Sequence, residues 1–203
     1  MKPDYFFQWA VFFEGGLSIV ALLIGFLFGL NLWSGAVFDV TAVFYILGLT
    51  LPLIVLYVVL LWLPFECLKT IDRLICELFQ QYMIRFSVWQ IAIISVAAGF
   101  GEELLFRSLL QSGIYNAIAN GTTNTTGLEF LTNYRLTSVI ILVSILFGAA
   151  HSVTITYFFL AFVISVYLGV ILILTGNIII PISIHALYDF LVLMSIKFRI
   201  ESR

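Results

Sequence analysis

Apolar side chains run along most of this chain in blocks of about twenty, and polar positions gather between the blocks instead of alternating within them. A bilayer core of roughly 30 Å is crossed by about 20 apolar residues of helix, so each block reads as a spanning helix. Six candidate spans follow, at about Trp9 to Leu30, Val40 to Leu63, Val88 to Tyr115, Leu136 to His151, Thr154 to Leu174 and Ile178 to Ile196. The fourth is short, and the second and sixth contain Pro52 and Pro181. One stretch differs. In "FECLKTIDRLICELFQQYMIR", Leu68, Ile71, Leu74, Ile75, Leu78 and Tyr82 recur at helical spacing, with Glu66, Lys69, Asp72, Arg73, Glu77 and Gln81 on the other face. That pattern predicts an amphipathic helix on the cytoplasmic membrane surface or packed beneath the bundle. The expected fold is an all-α membrane protein, a polytopic bundle of about six transmembrane helices plus this cytoplasmic-side helix, in a single membrane domain spanning residues 1–203.

Composition agrees. With 63% hydrophobic and only 10% charged residues, the 203-residue chain cannot make an ordinary water-soluble globule. A net charge of -2 from so few charges says nothing about nucleic-acid or acidic partners, and no nucleic-acid partner is expected for such a chain. Their placement is more informative, because basic residues collect on the cytoplasmic side. With the amino terminus inside and six crossings, Lys2, Lys69, Arg73, Arg85, Lys197, Arg199 and Arg203 are cytoplasmic, Arg135 alone is outside and Arg107 lies within a span. The reading is an integral, multi-pass protein of the cell membrane with both termini cytoplasmic. Two Asn-x-Thr patterns, at Asn120 and Asn124, read as ordinary residues of the longest outer loop. Cys67 and Cys76 are too few for a disulfide framework or a metal cluster. Glu14 and the lack of a small-residue cleavage pattern argue for a retained first helix, and Glu14 itself reads as an unremarkable interfacial residue.

Ionisable residues inside a span cost something like 2.5 to 3.5 kcal/mol each on insertion scales, so they face polar cavities and are functional candidates. Here they are Glu102, Glu103 and Arg107 in "GFGEELLFRSLL", His151 at the end of span four, and His185 with Asp189 on span six. Glu103 and Arg107 are four apart with the acid first, the favourable order for an ion pair along one helix face. Glu102, rotated by about 100° from Glu103, has no local cation. An unpaired buried carboxylate suits a general base or a proton carrier working near neutrality. His185 and Asp189, again four apart, can face one cavity, where the carboxylate fixes the imidazole's tautomer or serves the same reacting group. Pro181 cannot donate to the carbonyl of Asn177, so a bend and a free acceptor are expected one turn before His185. Gly148, Ala149 and Ala150 before His151, and Ala97, Ala98, Gly99 and Gly101 before Glu102, allow close helix approach. At 1.5 Å per residue, Glu102 and His185 reach about one level, whereas His151 falls nearer the cytoplasmic side.

Three of these stretches, "EELLFR" (Glu102, Glu103, Arg107), "FGAAH" (Phe147, His151) and "HALYD" (His185, Asp189), together resemble the CPBP family. These are intramembrane proteases that include the type II CAAX prenyl endopeptidase and the bacteriocin-processing or immunity proteins also called the Abi family. "TGNIIIPISIHALYD", with Asn177 and Pro181 upstream of the histidine, shares the family's look, and the motif core covers about Ile91 to Leu193. The resemblance implies peptide hydrolysis within the bilayer, on a membrane-associated peptide or protein substrate. Glu102 then matches the glutamate that activates water and His151 the histidine that helps hold it. His185 and Asp189 match the oxyanion site, while Glu103, Arg107 and Phe147 are structural support. Asp189 stands where the CAAX endopeptidases have Asn. An ionised aspartate cannot donate to an oxyanion, so Asp189 either carries a proton or orients His185. Glu102, His151 and His185 also make a possible two-histidine, one-carboxylate zinc set, although no His-Glu-x-x-His occurs in the chain. The resemblance favours a glutamate base without an obligatory metal.

Two other functions fit a buried Glu, His and Asp: a proton-coupled small transporter, and a non-catalytic immunity protein that keeps the motifs as structure. No inverted repeat or pair of broken helices supports transport.

Overall fold

The computed structural model describes residues 3–33, 35–118 and 133–202. Among them are eight α-helices and one π-helical segment. In chain order these are α1 (Pro3–Leu27), α2 (Val40–Trp62), α3 (Glu66–Tyr82), α4 (Val88–Glu103), the π segment (Leu104–Ser112), α5 (Gly113–Ile118), α6 (Tyr134–Ala150), α7 (Ile155–Thr175) and α8 (Ile179–Glu201). Five helical stretches are long and apolar enough to cross a membrane, and α6, at 17 residues, is a shorter apolar helix. The protein is an all-α membrane bundle. The patterns at Asn120 and Asn124 lie outside the described residues.

Local signals set the helix ends. Asp39 accepts from the Ala42 amide at the start of α2, and Ser87 with Gln90 forms a reciprocal capping box at the start of α4. Thr154 caps α7, which stops at Gly176 in the left-handed conformation, φ 61°. The amphipathic stretch is helix α3, whose Ile71 and Phe79 are buried while Leu78 stays half exposed. Large apolar side chains such as Phe12, Phe26, Phe44 and Trp62 stand exposed around the bundle. They suit hydrocarbon, not water.

Helix α4 is the centre. It packs against α8 on one side and α1 on another, with α6 and α7 paired beyond the π segment and α3 touching α2, α7 and α8. Two glycines make this possible. A side chain at Gly99 would lie 2.7 Å from the Ala186 amide nitrogen on α8, and one at Gly101 would strike the Glu14 carbonyl on α1. Small residues thus seat two backbones against the stretch that carries Glu102. Polar side chains add bonds between helices: Gln111 donates to the Gly169 carbonyl at 3.0 Å and Ser165 to Ser144 at 3.0 Å. Asn177 ties the α7–α8 turn to the segment before α2, donating to the Val37 carbonyl and accepting from its amide.

Two expectations change. Pro181 is the third residue of α8, within the first turn, where an amide has no intrahelical carbonyl to meet. No bend is needed there, and the Asn177 carbonyl is not free, because it accepts from the Ile180 amide at 3.2 Å. The second concerns depth. Helix α4, the π segment and α5 run without a break for 31 residues, Val88–Ile118, about 46 Å at a helical rise. That exceeds a 30 Å core, so a depth counted from Val88 does not fix the level of Glu102. His151 meets it at the same level.

Candidate active site

The last turn of α4 delivers Glu102 and Glu103, and the chain widens into the π segment at the next residue. Such insertions recur at functional sites because they re-aim side chains within a continuous helix. The widened turn is closed by Ser112, whose hydroxyl donates to the Arg107 carbonyl at 2.9 Å. Glu103 and Arg107 are fully buried and paired as their spacing predicts, Arg107 Nε donating to Glu103 Oε2 at 2.8 Å. Breaking such a pair by removing one partner strands the other charge in low dielectric. The Arg107 guanidinium also lies 5.5 Å from the centroid of the Phe147 ring, a cation–π contact, and its two Nη atoms make no hydrogen bond among the described residues.

The other oxygen of Glu103 makes a contact the sequence does not announce. Its Oε1 stands 2.9 Å from His185 Nδ1 on α8. A carboxylate paired with arginine accepts hydrogen bonds, so Nδ1 carries the proton and donates. This leaves Nε2 as the free edge of the ring, 3.9 Å from Glu102 Oε2 and 3.5 Å from Asp189 Oδ2. His151 is held the same way: Nδ1 donates to the Phe147 carbonyl at 2.8 Å, and Nε2 turns to Glu102 Oε2 at 3.6 Å. Phe147 is the plate between them. Its ring stacks on His151 with centroids 4.4 Å apart and meets His185 edge-on at 6.2 Å.

Both free imidazole nitrogens therefore converge on one buried oxygen, Glu102 Oε2, which makes no hydrogen bond among the described residues. Gaps of 3.6 and 3.9 Å are wider than direct hydrogen bonds, so neither imidazole satisfies this oxygen directly. A cavity of about 300 Å³ opens from this point. Glu102, His151, His185 and Asp189 line one polar part of it, and mostly apolar side chains of α2, α7 and α8, with Leu68, Ile71 and Ile75 of α3, line the rest, joined by Asp72 and by Tyr57, Tyr157 and Tyr188.

The structure thus brings together Glu102, Glu103, Arg107, Phe147, His151, His185 and Asp189 from three stretches of chain. Asp189 is on the Nε2 side of His185, so it does not hold the tautomer; Glu103 does that. Among the described residues no three His, Cys, Asp or Glu side chains, Glu102, His151 and His185 included, form a preformed group for a metal ion. Two groups escaped the sequence reading. Tyr157 lines the cavity beside His151, ring centroids 6.3 Å apart, with nothing in its sequence context to mark it. Glu14, whose Oε2 is buried, did carry a signal, being a lone acid in an apolar helix, the same signal that marks Glu102.

A helical membrane bundle with a glutamate, two histidines and an aspartate gathered in one polar part of a mostly apolar cavity defines a membrane-embedded protein built for polar chemistry away from bulk water. The chain belongs to the family of type II CAAX prenyl endopeptidase Rce1-like proteins, whose model matches residues 84–191, more than half of its length. That span contains all seven of the residues just named. Membership implies protease activity of the CAAX type. No curated protein and no solved structure matches the chain significantly.

Proposed function

We propose that the protein is an intramembrane endopeptidase in which Glu102 activates water for attack on a peptide bond. The observation that carries this reading is the convergence of two imidazole Nε2 atoms on the unpartnered Glu102 Oε2. A water between Glu102 and His151 gives its proton to Glu102 and its oxygen to the scissile carbonyl carbon. The carbonyl oxygen becomes an oxyanion, which the Nε2–H of a protonated His185 stabilises, with Asp189 beside it. Collapse breaks the C–N bond, and the proton on Glu102 passes to the leaving amine, so the products are a carboxylic acid and an amine. Glu103 and Arg107 hold His185 in register, and Phe147 fixes the spacing of the two rings. No step uses a metal.

The substrate proposed is a peptide or protein held at the membrane, a prenylated one included. The apolar walls of the cavity, among them Leu53, Leu60, Leu160 and Ile164, suit a hydrocarbon chain or an apolar peptide segment beside that polar part. The protein would work in the cell membrane with both termini cytoplasmic, as the distribution of lysine and arginine supports. Cleavage of quenched-fluorescent peptides, with and without a lipid anchor, by purified protein in liposomes tests the reading. Proteolysis abolished by Glu102→Gln is the expected result.

A further inference from the structure

Tyr157 and Tyr188 both line the cavity, and neither phenol hydroxyl makes a hydrogen bond among the described residues. A phenol set between helices ordinarily finds a partner for its O–H. Tyr57, Tyr115 and Tyr167 do: Tyr57 shares a hydrogen bond with Ser195 Oγ at 3.3 Å, Tyr115 accepts from Asn133 Nδ2 at 2.8 Å, and Tyr167 donates to the Leu49 carbonyl at 2.7 Å. Two open hydroxyls in a largely apolar wall call for a ligand that can bond them.

Local structure sets both beside the site. A side chain at Gly148 would lie 2.9 Å from the Phe158 carbonyl, so the end of α6 and the start of α7 meet backbone to backbone. Tyr157, in the first turn of α7, thereby faces His151 with ring centroids 6.3 Å apart. Beyond it the α7 wall is apolar, with Leu160, Ala161, Ile164 and Leu168 at helical spacing. On α8, Tyr188 follows His185 by three residues and shares its face, before Val192, Leu193 and Ile196 continue the apolar wall. Those three residues are about 4.5 Å of helix, the reach of one to two residues of extended peptide at about 3.3 Å each.

A phenol hydroxyl both donates and accepts. Hydrocarbon offers it nothing, whereas an extended peptide presents a carbonyl and an amide at nearly every residue. We infer that Tyr157 and Tyr188 form a subsite that hydrogen-bonds the backbone amides beside the scissile bond, so that the cavity recognises a peptide and not only a hydrocarbon chain attached to it. This deepens the peptidase reading and rests on it for the ligand; the open hydroxyls do not.

The test measures binding by calorimetry to full-length Glu102→Gln protein in detergent, so that no turnover intervenes. The probes are a short peptide bearing one hydrocarbon chain and the same chain as a plain alcohol. Adding Tyr157→Phe or Tyr188→Phe, each of which removes only a hydroxyl, is expected to weaken peptide binding about fivefold and to leave alcohol binding unchanged, with unfolding curves showing every variant folded. Peptide affinity unchanged in either variant, peptide and alcohol weakened alike, or no binding of the peptide overturns the inference. If the hydroxyls matter in this way but protein with Glu102 intact leaves the peptide uncut, the subsite stands and the peptidase reading falls.

Discussion

Glu103 Oε1 accepts from His185 Nδ1 at 2.9 Å, joining α4 to α8 across 82 positions of sequence. The same carboxylate takes Arg107 Nε on its other oxygen, so a pair that looks like helix bracing also orients a histidine of the site. Replacing Glu103 with Gln leaves Arg107 charged and buried without an anion. We expect a loss of about 3–5 kcal/mol in stability, read as a lower thermal unfolding temperature in detergent, together with loss of peptidase activity. Double replacement of Glu103 and Arg107 by Leu and Met should regain much of the stability but not the activity, because His185 then lacks its acceptor.

Asp189 lies on the free side of His185, 3.5 Å from Nε2, and the tautomer is held from the other side. A carboxylate at position 189 is therefore not required to orient the ring. Asp189→Asn, which supplies an amide donor of the same size, should keep kcat/KM within about tenfold of wild type. Asp189→Leu should lower it by about 10²-fold, the cost of losing one polar group at a developing oxyanion.

The spans, the amphipathic helix and the Glu103–Arg107 pair were legible because each depends on residues near in sequence: apolar runs, helical spacing, a four-residue offset. The meeting of Glu102 with His151 and His185 was only partly so. The small residues Gly99 and Gly101 announced close packing, yet which helix each would receive is a property of the assembled bundle: α8 at Gly99, α1 at Gly101. The bond from Glu103 to His185, the widening at Leu104–Ser112 and the inward turn of Glu14 all arise from such contacts. Pro181 misled for the opposite reason. Its effect depends on where the helix starts, and α8 starts two residues before it.

Gly99 supports a direct test of that packing. A side chain there would meet the Ala186 amide and the Ile182 carbonyl on α8, at 2.7 and 2.8 Å. Neither backbone can yield easily. Gly99→Val should destabilise the protein by about 1–3 kcal/mol and abolish cleavage, since it moves His185 away from Glu102. Unfolding followed by intrinsic fluorescence, beside an activity assay, reads both.

Metal removal separates two roles for Glu102. Since no ligand set is formed by the described residues, treatment with a strong chelator should leave cleavage unchanged. Activity lost on chelation and restored by zinc would make the carboxylate a ligand and not a base.

The most direct measurement is the rate of peptide-bond cleavage by wild-type and Glu102→Gln protein, both shown to be folded by their unfolding curves, on one membrane-anchored peptide. Glu102 as the water-activating base predicts a fall of about 10²–10⁴-fold with stability preserved. Cleavage by folded Glu102→Gln protein at a rate close to wild type would contradict it.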